Sequence, residues 1–106
     1  MSQREQHVVL FKFPQELTPE EEKEMFDQVR GWAGTIDGLT GLRIGRDVGG
    51  RADGWMYLLL TEFESTETHL AYYSHPDHVA FSEWVAAHKA GVARIDYPLT
   101  SENLIV

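Results

Sequence analysis

Two phenols and two imidazoles fall within Tyr72-Tyr73-Ser74-His75-Pro76-Asp77-His78, in a chain of 106 residues that has five histidines and no cysteine. Such a run can assemble proton-transfer chemistry. Pro76 has a fixed φ and no N–H to donate, so it suits the first position of a helix and makes His75 the expected N-cap. His78 then lies in the first turn, where the N–H dipoles disfavour an imidazolium and leave a neutral ring able to accept a proton. Asp77 pulls the other way by favouring positive charge. The same residues have plainer roles: His75 as a cap, His78 as a buried histidine bonded to a backbone carbonyl, Tyr72 as a core ring. No serine or cysteine nucleophile has a spacing that ties it to Asp77-His78, so no triad is read. Zinc on His75, Asp77 and His78, with His7 as an extra ligand, would need three convergent groups, and Pro76 restricts how His75 turns. No metal or cofactor is expected.

Several elements must position this run. His7 to Phe13 is β-branched and aromatic and stops at Pro14, which reads as a strand. Thr18-Pro19-Glu20-Glu21 supplies an N-cap, a proline at the first helical position and a capping-box acid. Met25, Phe26, Val29, Trp32, Ala33 and Ile36 follow at helical spacing, with Gly34 and Gly38 expected to end the helix. Leu42 to Val48 alternates as a second strand. The turn residues Gly49 to Gly54 lead into a third strand, Trp55 to Phe63, so the two should pair as a hairpin. Ser65-Thr66-Glu67-Thr68 starts a short helix, which His75-Pro76 breaks and restarts as one running to about Lys89. Val92 to Pro98 reads as the last strand. The order βαββαβ predicts an α+β, ferredoxin-like protomer: a four-stranded antiparallel sheet with helices on one face.

The sheet makes a further demand. In the third strand Trp55, Tyr57, Leu59 and Phe63 point one way and Met56, Leu58 and Leu60 the other, so both faces are apolar. A sheet wetted on one side would alternate with polar residues. The chain's own helices can cover only one face, so a homodimer with the two sheets stacked into a dimeric α+β barrel is expected.

Seventeen acids against nine Lys and Arg give a formal charge of −8. Such a surface repels phosphate backbones, and Arg43, Arg46 and Arg51 are interleaved with Asp47 and Asp53, so no nucleic-acid partner is expected. The glycine loop at 49–54 lacks the Lys-Ser/Thr of a phosphate-binding loop. The apolar segment Val8 to Phe11 is too short for a signal peptide or a membrane span, which predicts a cytoplasmic protein with no membrane partner. Absent cysteine excludes disulfides, thiol nucleophiles and iron–sulfur clusters. The chain reads as one domain, with a core over residues 6–98 and a tail, 99–106, whose Leu104-Ile105-Val106 should lie on the partner subunit.

The chain resembles the stress-responsive A/B barrel (Dabb) family from His7 to Tyr97. The matching segments are His7 to Phe13, Gly45-Arg46-Asp47-Val48, Phe63-Glu64-Ser65, His75-Pro76-Asp77-His78-Val79-Ala80-Phe81 and Asp96-Tyr97. The resemblance implies the barrel fold and a small-molecule cavity between sheet and helices. Around Tyr72, His75 and His78 it is similar to the polyketide-cyclase branch, which implies a cofactor-free intramolecular aldol condensation. There the residue matching His78 removes an activated C–H proton, the one matching Tyr72 holds the polarised carbonyl, and His7 matches a further cavity histidine. A third cavity histidine is Tyr57 in this sequence. The same resemblance places Val9, Phe11, Met25, Phe26, Val29, Leu59, Thr61, Phe81 and Val92 around the cavity with Tyr57. Arg94 stands where an aliphatic residue is usual and His88-Lys89 where an aromatic pair is, which implies a ligand more polar or anionic than an alkyl polyketide. A strand slip of one residue would turn Arg94 away from the cavity. The alternative is a non-catalytic stress-response or ligand-binding dimer whose histidines are structural.

Overall fold

A computed structural model describes residues 3–103. Its elements are β1 (Glu5–Lys12), α1 (Pro19–Arg30), β2 (Leu39–Arg46), β3 (Tyr57–Phe63), α2 (Thr66–Tyr72), α3 (Pro76–Ala87) and β4 (Gly91–Pro98). The four strands form one sheet in the order β2-β3-β1-β4, antiparallel at each junction. The expected ferredoxin-like protomer is present. The expected position of Leu104-Ile105-Val106 lies outside the described residues.

Period-two alternation sorts the sheet into two faces. Val9, Phe11, Tyr57, Leu59, Thr61 and Phe63 are buried beneath the helices. Met25 and Val29 of α1 and Phe81 and Val85 of α3 close the core over them. On the opposite face Leu58 and Ile95 are 39% and 67% exposed. A sheet covered on one side only produces this division.

Local chemistry sets the element ends. At α1 the Thr18 side chain accepts from the Glu21 N–H and the Glu21 carboxylate from the Thr18 N–H, the expected capping box. The helix ends at Arg30, before the expected glycines, with Gly31 as its C-cap. Trp32 and Ile36 still reach the core, through turns in which Trp32 N–H bonds Val29 O and Ile36 N–H bonds Trp32 O. Gly34 and Gly38, both at positive φ, then shape the chain into β2. That strand runs from Leu39 to Arg46, not Leu42 to Val48. Asp47 accepts from the N–H groups of Gly49 and Gly50, a local turn that takes Val48 out of the ladder and into solvent. Likewise Trp55 N–H bonds Ala52 O, so β3 begins at Tyr57 instead of Trp55. At the end of α3, Lys89 sits at φ 56°, which stops the helix at Ala87, two residues early.

Candidate active site

β1, the α2–α3 junction and β4 converge at one end of the sheet. Ser65 caps α2, accepting from Thr68 N–H. Seven residues later that short helix delivers Tyr72, 2% exposed, into the core and leaves Tyr73 at the rim. His75 then caps α3 as expected: its Nδ1 accepts from Asp77 N–H at 3.1 Å, so its Nε2–H donates to Thr35 O at 3.1 Å. Both ring nitrogens are committed, which removes His75 from any metal-ligand set. His78 follows in the first turn of α3.

The geometry around His78 fixes its tautomer. A carbonyl only accepts, so His78 Nδ1–H donates to Tyr73 O at 3.2 Å, and Nε2 carries the lone pair. The contact of Nε2 among the described residues is the Ser82 hydroxyl at a long 3.4 Å. The Tyr72 ring lies 4.2 Å from the His78 ring, centroid to centroid. Burial holds the His78 imidazolium below the usual histidine range, against the Tyr73 carbonyl, which favours it. Burial raises the Tyr72 phenol well above its ordinary value, with the neighbouring Tyr73 adding to the shift. Both groups are therefore neutral: one a base with an available lone pair, the other an O–H donor.

His7 lies across from them on β1, 2% exposed, with its Nδ1–H donating to Asp96 of β4. Burial lowers its imidazolium, and the Asp96 carboxylate offsets only part of that. The pairs Val9↔Arg94, His7↔Asp96 and Phe11↔Val92 put Arg94 on the helix-covered face, because directly paired residues share a face. Asp96 is engaged by His7, and Arg94 forms no ion pair among the described residues.

These groups border a cavity of about 280 Å³. Val9, Phe11, Leu59, Phe81, Val85 and Val92 form its apolar part, and His7, Tyr72, Tyr73, His78, Ser82 and Arg94 its polar part. Of the residues expected around the cavity, Val9, Phe11, Leu59, Phe81, Val92 and Arg94 line it. Met25, Phe26, Val29, Tyr57 and Thr61 are not among its walls. Met25 and Val29 are buried between α1 and the sheet, and Thr61 donates to His7 O beneath the strand. Tyr57 packs against Phe13 and Phe26 and donates to Glu22 at 2.7 Å, at the other end of the sheet.

His69 belongs to this site and carries no motif in the sequence. It is buried, stacked on Phe63 at 4.8 Å, and 4.9 Å from His7. One atom each of His7, His69 and Asp96 lie within 4.8 Å of one another. Hydrogen bonds account for that grouping, since each Nδ1–H is already satisfied by a carboxylate, Asp96 for His7 and Glu5 for His69. The one signal in the sequence is spacing: His69 and Tyr73 are four apart on a helix started by Ser65, and so share a face.

The Stress responsive A/B Barrel Domain (Dabb) matches residues 6–99. The chain is 29% identical to olivetolic acid cyclase of Cannabis sativa over 79 residues, covering 73% of this chain and 78% of that one. It is also 29% identical over 100 residues to a stress-response A/B barrel domain-containing protein of Arabidopsis thaliana, covering 92% of each. Among solved structures, a dimeric ferredoxin-like protein of Thermobifida fusca, of unknown function, superposes with a TM-score of 0.83 at 21% identity, over 93% of each chain. That last likeness speaks for the fold, and the match over nearly the whole sequence speaks for descent: the chain belongs to the stress-responsive A/B barrel family.

Proposed function

We propose that this protein binds a small carbonyl compound in the cavity and removes a proton from a carbon beside the carbonyl, with no cofactor, as in an intramolecular aldol condensation. One observation carries the reading: His78 Nε2 holds a lone pair at the cavity while its Nδ1–H is tied to Tyr73 O, and the neutral Tyr72 phenol lies against it. In this scheme His78 takes the C–H proton, and the Tyr72 O–H hydrogen-bonds to the oxygen on which negative charge develops. His7, fixed by Asp96, orients the carbonyl. The 29% identity to a cyclase supports the class of reaction.

Arg94 narrows the ligand. A guanidinium with no acidic partner among the described residues, at the edge of an apolar cavity on a chain of charge −8, favours a ligand with an apolar body and one carboxylate or similar anion. The protein acts as a homodimer that buries the second sheet face, in keeping with the dimeric neighbour. The competing reading is a ligand-binding dimer without turnover, favoured by one contact: the His78–Tyr73 bond also locks the α2–α3 junction.

Proton NMR in deuterated water tests the choice, using a β,δ,ζ-triketo thioester as probe, whose α carbon can close a six-membered ring on the ζ carbonyl. The protein should accelerate loss of the signal from the α carbon, between the thioester and the first ketone, and His78→Ala should abolish the acceleration. Exchange at the buffer rate with wild-type protein would leave the binding module.

A further inference from the structure

Glu5, His69 and Tyr73 form a hydrogen-bonded chain leading into the cavity, separate from the His78–Tyr72 pair. His69 Nδ1 lies 2.8 Å from Glu5 Oε1, and His69 Nε2 lies 2.9 Å from the Tyr73 hydroxyl. Thr66 holds the other carboxylate oxygen by donating to Oε2 at 2.6 Å. An ionised carboxylate only accepts, so His69 Nδ1 must carry a proton and Nε2 faces the phenol. The Thr66 and His69 hydrogen bonds also keep the Glu5 carboxyl below its ordinary range, which holds it ionised. Tyr73, unlike His69, lines the cavity. Its ring lies 5.5 Å from that of His78 and 5.9 Å from that of His7.

We infer that Glu5, His69 and Tyr73 are a proton relay that makes Tyr73 the proton donor to the substrate oxygen, opposite the base His78. The inference rests on the proposed reading of the cavity. When His69 is neutral, Tyr73 O–H donates to Nε2 and turns its oxygen lone pairs to the cavity. When His69 is an imidazolium, Nε2–H donates to the Tyr73 oxygen and frees the phenol proton for the ligand. The reaction balances in this second state. His78 Nε2 takes the C–H proton, and the C–H electron pair forms the new C–C bond to the second carbonyl carbon. The π pair of that carbonyl moves to its oxygen, which takes the Tyr73 proton, while Tyr73 takes one from His69 Nε2. The cycle ends with His78 protonated and His69 neutral, and solvent water carries the proton back. Tyr73 is then a catalytic residue, and His69 and Glu5 are positioning residues that act through it. Tyr72, with no hydrogen-bond partner among the described residues, remains the donor that steadies the enolate.

Nitrogen and carbon NMR on the whole protein tests the relay without a substrate. The groups facing His69 are Glu5 and His7 from β1, Tyr72 from α2 and Tyr73 at its C-cap, Phe63 from β3 and Asp96 from β4. Above its titration His69 should show a protonated Nδ1 and a bare Nε2, and the Tyr73 phenol carbon should shift with the same midpoint as His69. Glu5→Gln removes the charge that supports the imidazolium and should move both midpoints down together. A His69 protonated on Nε2, or a Tyr73 signal indifferent to His69, would overturn the relay.

Kinetics with the triketo thioester separate its two proton transfers. Tyr73→Phe should keep C–H exchange, which needs only His78, and lose ring closure by roughly 10²-fold, the effect of one positioned acid. Ring closure at the wild-type rate in Tyr73→Phe, or equal loss of both steps, would overturn its role as donor. Wild-type protein without any C–H exchange would instead defeat the reading of His78, and the relay would stand or fall on the NMR result.

Discussion

His78 has its function and its structural duty on opposite edges of one ring. Nδ1–H ties the α2–α3 junction together and Nε2 meets the cavity, so replacing the ring tests both at once. His78→Ala should reduce turnover by roughly 10²–10⁴-fold, the range of a positioned base. It should also cost about 1–3 kcal/mol if the Tyr73 carbonyl loses its donor without gaining water. His78→Asn can restore a donor to that carbonyl without supplying a comparable base. It should recover stability and leave turnover lost, read as melting temperature against rate. Recovery of both would remove His78 from the chemistry. The pH dependence has a definite sign. His7 and His78 both titrate below the ordinary value of 6.5 in the folded protein, chiefly through burial. Between 6.5 and those lowered values the unfolded chain binds more protons than the folded one. Stability is therefore complete above 6.5 and is lost as the pH falls below it. Glu5, lowered in the fold, adds a second loss at more acid pH, below its ordinary 4.5. Melting temperature should begin to drop just under 6.5, and His7→Gln should flatten that first drop. An unchanged slope in His7→Gln would show that His7 does not contribute.

At the scale of elements, helix starts were legible in the sequence and helix and strand ends were not. Thr18, Ser65 and His75 each announce a start through a side chain that bonds a backbone N–H a few residues ahead, a short-range interaction that residue types reveal. The end of α1, the loss of Val48 from β2 and the late start of β3 depend on competing turns and on which partner strand is in reach. The site divides in the same way. Tyr72, His75 and His78 are close in sequence and were readable as a group, whereas the Glu5–His69 bond spans 64 positions and exists only once β1 lies beside α2. Gly38 shows how tightly these elements are joined. At φ +79° it enters β2, and a Cβ there would lie 2.4 Å from Thr68 Cβ, inside the capping box that starts α2. Gly38→Ala meets both a left-handed backbone and that contact. A loss of at least about 1–3 kcal/mol is expected from the backbone strain alone, measured by chemical denaturation. Because α2 carries His69 and Tyr72 and ends at its C-cap Tyr73, ligand affinity should fall with it. A variant as stable as wild type would mean that the α2 start can shift freely, and the rigidity ascribed to the site would be wrong.

Among the described residues, nothing covers the second face of the sheet. Val8, Leu10, Leu58, Leu60, Ala93 and Ile95 share it, two of them exposed and the rest half-buried. Four strands about 4.8 Å apart, with about eight residues each at about 3.3 Å per residue, make a face of roughly 26 by 19 Å. Two such faces pressed together remove on the order of 1,000 Å², the lower end of what a specific interface needs. The dimer should therefore form through this face, yet hold so little in reserve that one charge within it would split it. Leu58 offers such a position: it is exposed on this face and lies in the central strand pair, on β3 and paired with Leu10 on β1. Leu58→Glu places a carboxylate from each protomer in an apolar layer, where an unpaired carboxylate costs several kcal/mol. The folded protomer has no use for Leu58 in its own core, so the variant should keep the wild-type far-ultraviolet circular dichroism. Sedimentation at micromolar concentration should give about 24 kDa for the wild type, twice the 12.1 kDa chain, and the single-chain mass for Leu58→Glu. A wild-type monomer, or a variant that stays dimeric, would place the interface elsewhere and leave this apolar face facing water.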